Sequence, residues 1–158
     1  MHLVIALLLC GLGTSIQAQN PSVVFSELMW MGSTGSNSDE WIELYNQSDA
    51  EMDLSDWSIV RLTKDGEEVM LHIEEAKVAP RATFLIANYS SENPRSNLAT
   101  QPQLVSSAIA LPNTKLQLRL YDGDPEKGGK LVDVADDGKG SPLAGDNKLK
   151  HAMVRNRF

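Results

Sequence analysis

Between Asp39 and Asn46 the chain reads Asp-Glu-Trp-Ile-Glu-Leu-Tyr-Asn, and this alternation constrains the fold more than any other feature. Successive side chains of an extended strand point to opposite faces, so Trp41, Glu43 and Tyr45 share one face while Ile42 and Leu44 share the other. Such a strand buries one side and leaves the second to solvent. Asn46 and Ser48-Asp49 end the run with turn-forming residues. Asp53-Leu54-Ser55-Asp56-Trp57 follows, where Leu54 and Trp57 flank a turn-prone pair. An aromatic strand followed by a corner that plants a tryptophan in the interior is a sandwich pattern, and it assigns Trp57 to the core.

Further candidate strands recur with turn signals between them. Val23 to Trp30 is β-branched and aromatic and only partly alternating, as for a strand buried over part of its length. Ser58–Thr63 and Glu68–Ile73 flank Lys64-Asp65-Gly66-Glu67, and Asp-Gly between two alternating runs signals a hairpin. Thr83 to Ala87 is a short apolar run of the buried kind. Leu116 to Tyr121 alternates strictly, pointing Leu116, Leu118 and Leu120 at the core, and Leu131 to Ala135 returns after the turn Asp122–Gly129. Ala152-Met153-Val154 is read as a last strand. Glu74–Lys77 is read as a helical turn closed by Pro80. Asn88–Gln103, polar and carrying Pro94 and Pro102, is read as a long surface loop. No helical period is sustained. The expected fold class is all-β, an antiparallel β-sandwich of seven to nine strands.

Charge is unevenly spread along this pattern. The first 60 residues contain no Lys or Arg, and the end of the chain reverses the sign, with Lys139, Lys148, Lys150, Arg155 and Arg157 against Asp146. This reads as a solvated acidic face with a complementary basic end strand; a basic tail for an anionic partner is the sharper alternative. The net charge of -7 at pH 7 argues against general nucleic-acid binding. A length of 158 residues leaves room for one domain and a leader. The apolar run Leu3–Leu12 is too short to span a bilayer and leads into Gly13, Thr14, Ser15 and Gln17-Ala18-Gln19. It is read as a signal peptide over residues 1–18, ahead of a β-sandwich domain over 22–158. The expected location is therefore exported: extracellular, cell-surface or periplasmic, and not transmembrane. Removal of the leader takes Cys10, the single cysteine, and with it any disulfide.

Several motifs together resemble a known family. Phe25-Ser26-Glu27-Leu28, Glu40 to Asn46, Asp53-Leu54-Ser55-Asp56-Trp57, Val78-Ala79-Pro80-Arg81 before Phe84 to Ala87, Leu111-Pro112-Asn113, and Leu116 to Asp122 with Leu131-Val132-Asp133 occur in the order seen in lamin tail domains. The likeness runs over roughly residues 23–135 and is closest to the bacterial, exported members. It implies an immunoglobulin-like sandwich and an interaction or tethering role, often beside exported hydrolases; fold likeness carries function only by analogy. Asp56 stands where the family commonly has Gly, which implies a different turn before Trp57. Family members often continue past a closing strand such as Ala152–Arg155, so a domain truncated at Phe158 is also expected.

A catalytic site needs a nucleophile with its base, a metal cage, or a convergent acid and base. His2, His72 and His151 are dispersed, and no Cys/His cluster has zinc spacing. Gly-x-Ser-x-Gly is absent, and Asp136–Ser141 lacks phosphate-loop spacing. Glu40 and Glu43, three apart on a strand, point to opposite faces and do not converge. Asp122-x-Asp124-x-Glu126 places oxygen donors on alternate residues, but Pro125 and the missing distal Glu favour a plain hairpin turn over calcium. The expectation is no enzyme, no cofactor and no metal. What remains is surface: Trp41, Glu43 and Tyr45 form the candidate interaction face, for an unidentified protein or cell-surface ligand. The alternatives are a carbohydrate- or calcium-assisted adhesion domain using the aromatics with Asp122 and Asp124, and an accessory domain of a larger exported hydrolase.

Overall fold

The Trp41 strand becomes the middle of the larger of two facing sheets. A computed structural model describes residues 22–156; the expected signal peptide, residues 1–18, lies outside the described residues. The strands are β1 Val23–Met29, β2 Trp41–Asn46, β3 Met52–Asp53, β4 Ser58–Thr63, β5 Gly66–His72, β6 Lys77–Val78, β7 Thr83–Ala87, β8 Leu104–Val105, β9 Leu118–Tyr121, β10 Leu131–Ala135 and β11 Met153–Val154. One sheet runs β11-β1-β2-β7-β8 and the other β10-β9-β4-β5, while β3 and β6 form a small ribbon. The seven strands of four residues or more, and β11 at Met153–Val154, were read from the sequence; β3, β6 and β8, two residues each like β11, were not. All pairings are antiparallel except β7–β8, which is parallel over Ile86↔Leu104 and Ala87↔Val105.

The core lies where the alternation put it. Ile42 and Leu44 from the first sheet and Ile59, Leu118 and Leu120 from the second are fully buried, and all belong to one apolar cluster. Each such side chain stabilises the fold by about 1.5–3 kcal/mol through burial alone. Trp57 joins them at 7% exposure. Its corner is closed by the Trp57 N–H donating to the Leu54 carbonyl at 3.1 Å and the Asp56 N–H donating to the Ile73 carbonyl at 2.7 Å. Asp56 adopts φ 65° there, the left-handed conformation that glycine occupies without strain.

Local departures have local causes. β1 alternates imperfectly because its register against β2 shifts between Phe25 and Glu27; the extra residue lets Phe25 face inward and Glu27 outward. The hairpin after β4 is tighter than the four-residue turn expected, since Thr63 pairs with Gly66 across Lys64-Asp65 alone. Glu74 and Glu75 make a bend and not a helical turn, because Lys77–Val78 is drawn into β6 against Met52–Asp53. Asn46, fully buried, reaches the carbonyls of Ala50, Val78 and Ala79 at 2.7–3.2 Å and so pins the turn after β2 to β6.

Candidate functional site

Trp41, Glu43 and Tyr45 lie together on the outward face of β2, each half-buried. Their neighbours follow from the ladder. Glu43 stands between Glu27 of β1 and Leu85 of β7, and Trp41 between Met29 and Ala87. The Trp41 Nε1–H donates to Glu27 Oε1 at 2.7 Å, which fixes the indole over the β1 side. Ser26 Oγ–H donates to Glu43 Oε1 at 2.5 Å. Glu27, Trp41, Glu43 and Leu85 line a groove of about 240 Å³ whose far wall is Leu98 to Thr100 with Gln103. No Lys or Arg lines it. Tyr45 lies outside this groove and hydrogen-bonds with Arg81 at the other end of the strand. The predicted face is thus contiguous, with its acidic, aromatic groove at the Trp41 end.

A second cleft, of about 670 Å³, opens on the opposite phase of the same strand. Glu40 immediately precedes β2 and is 8% exposed. Its Oε2 accepts the Leu111 N–H at 3.0 Å, and its backbone carbonyl accepts the Asn88 N–H at 3.0 Å. Asn88 Nδ2 donates to the Ile109 carbonyl at 2.7 Å and Arg61 Nη1 to the Ala110 carbonyl at 3.2 Å. Three side chains therefore hold the segment 107–112 against the ends of β2, β4 and β7. Arg61 is committed to Glu68 through contacts of 3.1–3.3 Å. Burial pushes the Glu40 carboxyl up to about 7, against the opposing pulls of the Leu111 amide and the Arg61 charge.

Glu40 was not singled out as a site residue from sequence, yet the signal for it was present. Glu40, Ile42, Leu44 and Asn46 are spaced by two, so one alternation points all four inward. Comparing Glu40 only with Glu43 concealed that phase.

The remaining sequence candidates are occupied structurally. His72 closes β5, and its Nδ1 lies 2.9 Å from Ser58 Oγ. Ser58 is fully buried, so this hydroxyl–imidazole pair presents no nucleophile to a substrate. Asp122 Oδ1 accepts the Lys130 N–H at 2.6 Å and closes the last hairpin. Asp124 accepts the Glu126 N–H at 2.9 Å, capping a 3₁₀ turn Pro125–Lys127, and pairs with Lys127 at 2.9 Å. Among the described residues no group of three His, Cys, Asp or Glu side chains could hold a metal ion, and no helix is long and apolar enough to cross a membrane.

Two facing sheets, antiparallel but for the β7–β8 pair, around a mainly apolar core, with a groove on the outer face of one sheet and a cleft at the end of β2, are the architecture of an immunoglobulin-like domain. Its sequence pattern matches the Lamin Tail Domain over residues 16–138. The chain belongs to that family, whose members are immunoglobulin-like, non-catalytic domains. No curated protein matches it.

Proposed function

We propose that this chain is an exported, non-enzymatic lamin tail module that tethers or binds at the cell surface through the outward face of β2. The observation that carries the reading is the groove in which Trp41 and Glu43 stand beside Glu27, with no basic side chain in its lining. An indole and clustered carboxylates favour cationic groups on a protein or cell-surface ligand, by charge and by the ring's negative face. The apolar leader at Leu3–Leu12 supports export. The family's non-catalytic character and the burial of Ser58 support the absence of a reaction.

The test is sedimentation of the purified mature chain with intact producing cells or their envelope fraction. The native chain is expected to sediment with them, and Trp41→Ala to lose at least about tenfold in apparent affinity, as for a central aromatic anchor. A native chain that stays in the supernatant, or a Trp41→Ala variant that binds equally well, refutes the reading. Binding that survives protease treatment of the cells but not periodate oxidation of their glycans would move it to a carbohydrate-binding adhesion domain.

A further inference from the structure

We infer that the Glu40 cleft is a second binding site, specific for a primary ammonium group such as a lysine side chain of a partner protein. This does not rest on the outer-face reading, since Glu40 and Trp41 point to opposite sides of the sheet. Glu40 is buried to more than nine-tenths and lines the cleft. Only its Oε2 is spent on the protein, on the Leu111 amide; Oε1 makes no hydrogen bond to a described residue and is not among the sealed, unpartnered atoms, so it opens on the cleft. Asn88 lines the same cleft, with its Nδ2 taken by the Ile109 carbonyl. Arg61 also lines the cleft and its charge pulls the Glu40 carboxyl down, but burial outweighs that pull, and its hydrogen bonds go to Glu68 and the Ala110 carbonyl, so it supplies none to Oε1.

The geometry selects among ligands. One available carboxylate oxygen suits a compact ammonium better than a guanidinium, whose fork wants two. Leu62, Ile109, Leu111 and Pro112 line the approach and supply apolar wall for a methylene stem, which long cationic side chains use while keeping the head in polar surroundings. A neutral sugar would desolvate the carboxylate further without compensating its charge, and an anion would meet it directly. Of the groups lining the cleft only Glu40, Arg61 and Tyr89 titrate, with Glu68 behind Arg61. Because burial favours the protonated acid, an ammonium that binds the carboxylate must displace that proton. Binding therefore strengthens as pH rises through neutrality.

The experiment titrates the full chain with three blocked tripeptides, Gly-Lys-Gly, Gly-Arg-Gly and Gly-acetyl-Lys-Gly, by calorimetry or NMR shift changes. The lysine peptide is expected to bind at least tenfold more tightly than the other two, and at least tenfold more tightly at pH 8 than at pH 5.5. Glu40→Gln keeps an acceptor for the Leu111 amide and should lose at least tenfold. Ser38→Lys, at an exposed lining position, places a competing ammonium at the mouth and should weaken binding similarly. Because the outer groove also favours cations, the titration is repeated in a Trp41→Ala background, where Glu40→Gln should still cost the lysine peptide at least tenfold. No binding by the native chain, equal binding of the acetylated peptide, or loss with Trp41→Ala but not with Glu40→Gln overturns the inference.

Discussion

Glu40 makes the stability of this fold depend on pH in the sense opposite to most carboxylates. Its folded pKa is raised from 4.5 to about 7, so between those values the folded protein keeps a proton that the unfolded chain has released. Stability from this group is therefore fully present below about pH 4.5 and is lost as pH rises to about 7, by up to about 3 kcal/mol. Glu40→Gln should flatten that slope: its melting temperature is expected to exceed the native one at pH 8 and to match it near pH 4.5. Equal differences at both pH values would mean that the carboxylate is not desolvated. Asp56 offers a second test at this scale. Its φ of 65° costs a non-glycine residue roughly 1–2 kcal/mol, part of which glycine returns as unfolded-state entropy. Asp56→Gly should stabilise the protein by about 0.5–1 kcal/mol in urea unfolding, with the corner hydrogen bonds retained. Both residues show what a single sequence discloses. Asp56 was visible as a departure from the family's glycine, and its φ of 65° is a conformation that glycine occupies without strain. Glu40 was visible only as a phase, and its burial depends on Leu111, which lies 71 positions away.

The elements divide by length in how legible they were. β1, β2, β4, β5, β7, β9 and β10 carry enough residues for period-two patterning to register. β3, β6, β8 and β11 carry two each, below any periodicity; β8 and β11 add to the edges of the larger sheet and β3 and β6 pair with each other, and of the four only β11 was read from the sequence. β8 is the clearest case: Leu104–Val105 joins β7 in parallel after a long loop that Gln103 and Asn97 tack down, Gln103 Oε1 accepting the Leu85 N–H at 2.7 Å and the Asn97 N–H donating to Asp39 at 2.7 Å. β10 and β1, from different sheets, are joined by a polar clamp that no pattern announces. Asp133 Oδ2, in a residue 9% exposed, accepts both the Phe25 N–H at 2.9 Å and Arg155 Nη2 at 2.6 Å. Arg155 Nε donates in turn to the Phe25 carbonyl at 2.8 Å. Removing Arg155 leaves a buried carboxylate with one amide for compensation, and such losses cost about 2–3 kcal/mol for a partly exposed partner. Arg155→Ala is expected to lower the urea midpoint accordingly. Pairing it with Asp133→Asn should recover part of that loss, because the double variant removes the unpaired charge. A double variant as unstable as the sum of the singles would show that the two groups do not act on each other.

At the scale of the whole molecule the basic end of the chain is less a tail than the last piece of the sandwich. The lamin tail match ends at residue 138, yet several structural contacts come from beyond it. Met153 and Val154 pair with Leu28 and Glu27 and so cover the outer edge of β1. The Ala144 carbonyl accepts the Trp30 Nε1–H at 3.0 Å, with Gly145 packed so close that a Cβ there would lie 2.7 Å from that nitrogen. Arg155 supplies the clamp on Asp133. The charge asymmetry read from the sequence is accordingly spent in part within the fold: Lys150 Nζ also donates to the Met31 carbonyl at 3.1 Å. Cutting the chain after Gly138 should uncover the β1 edge and the face of Trp30 together. An exposed edge strand beside apolar surface pairs with other chains. The truncated protein is expected to lose at least about 4 kcal/mol, from the clamp and the uncovered apolar surface combined, and to self-associate in sedimentation velocity. A synthetic peptide of residues 139–156 added in trans should restore the monomer by taking the vacant place beside β1. A truncated chain that remains monomeric and melts like the native one would show that the family's own residues close the sandwich without this segment, and would return the basic end to the role of a free tail for an anionic partner.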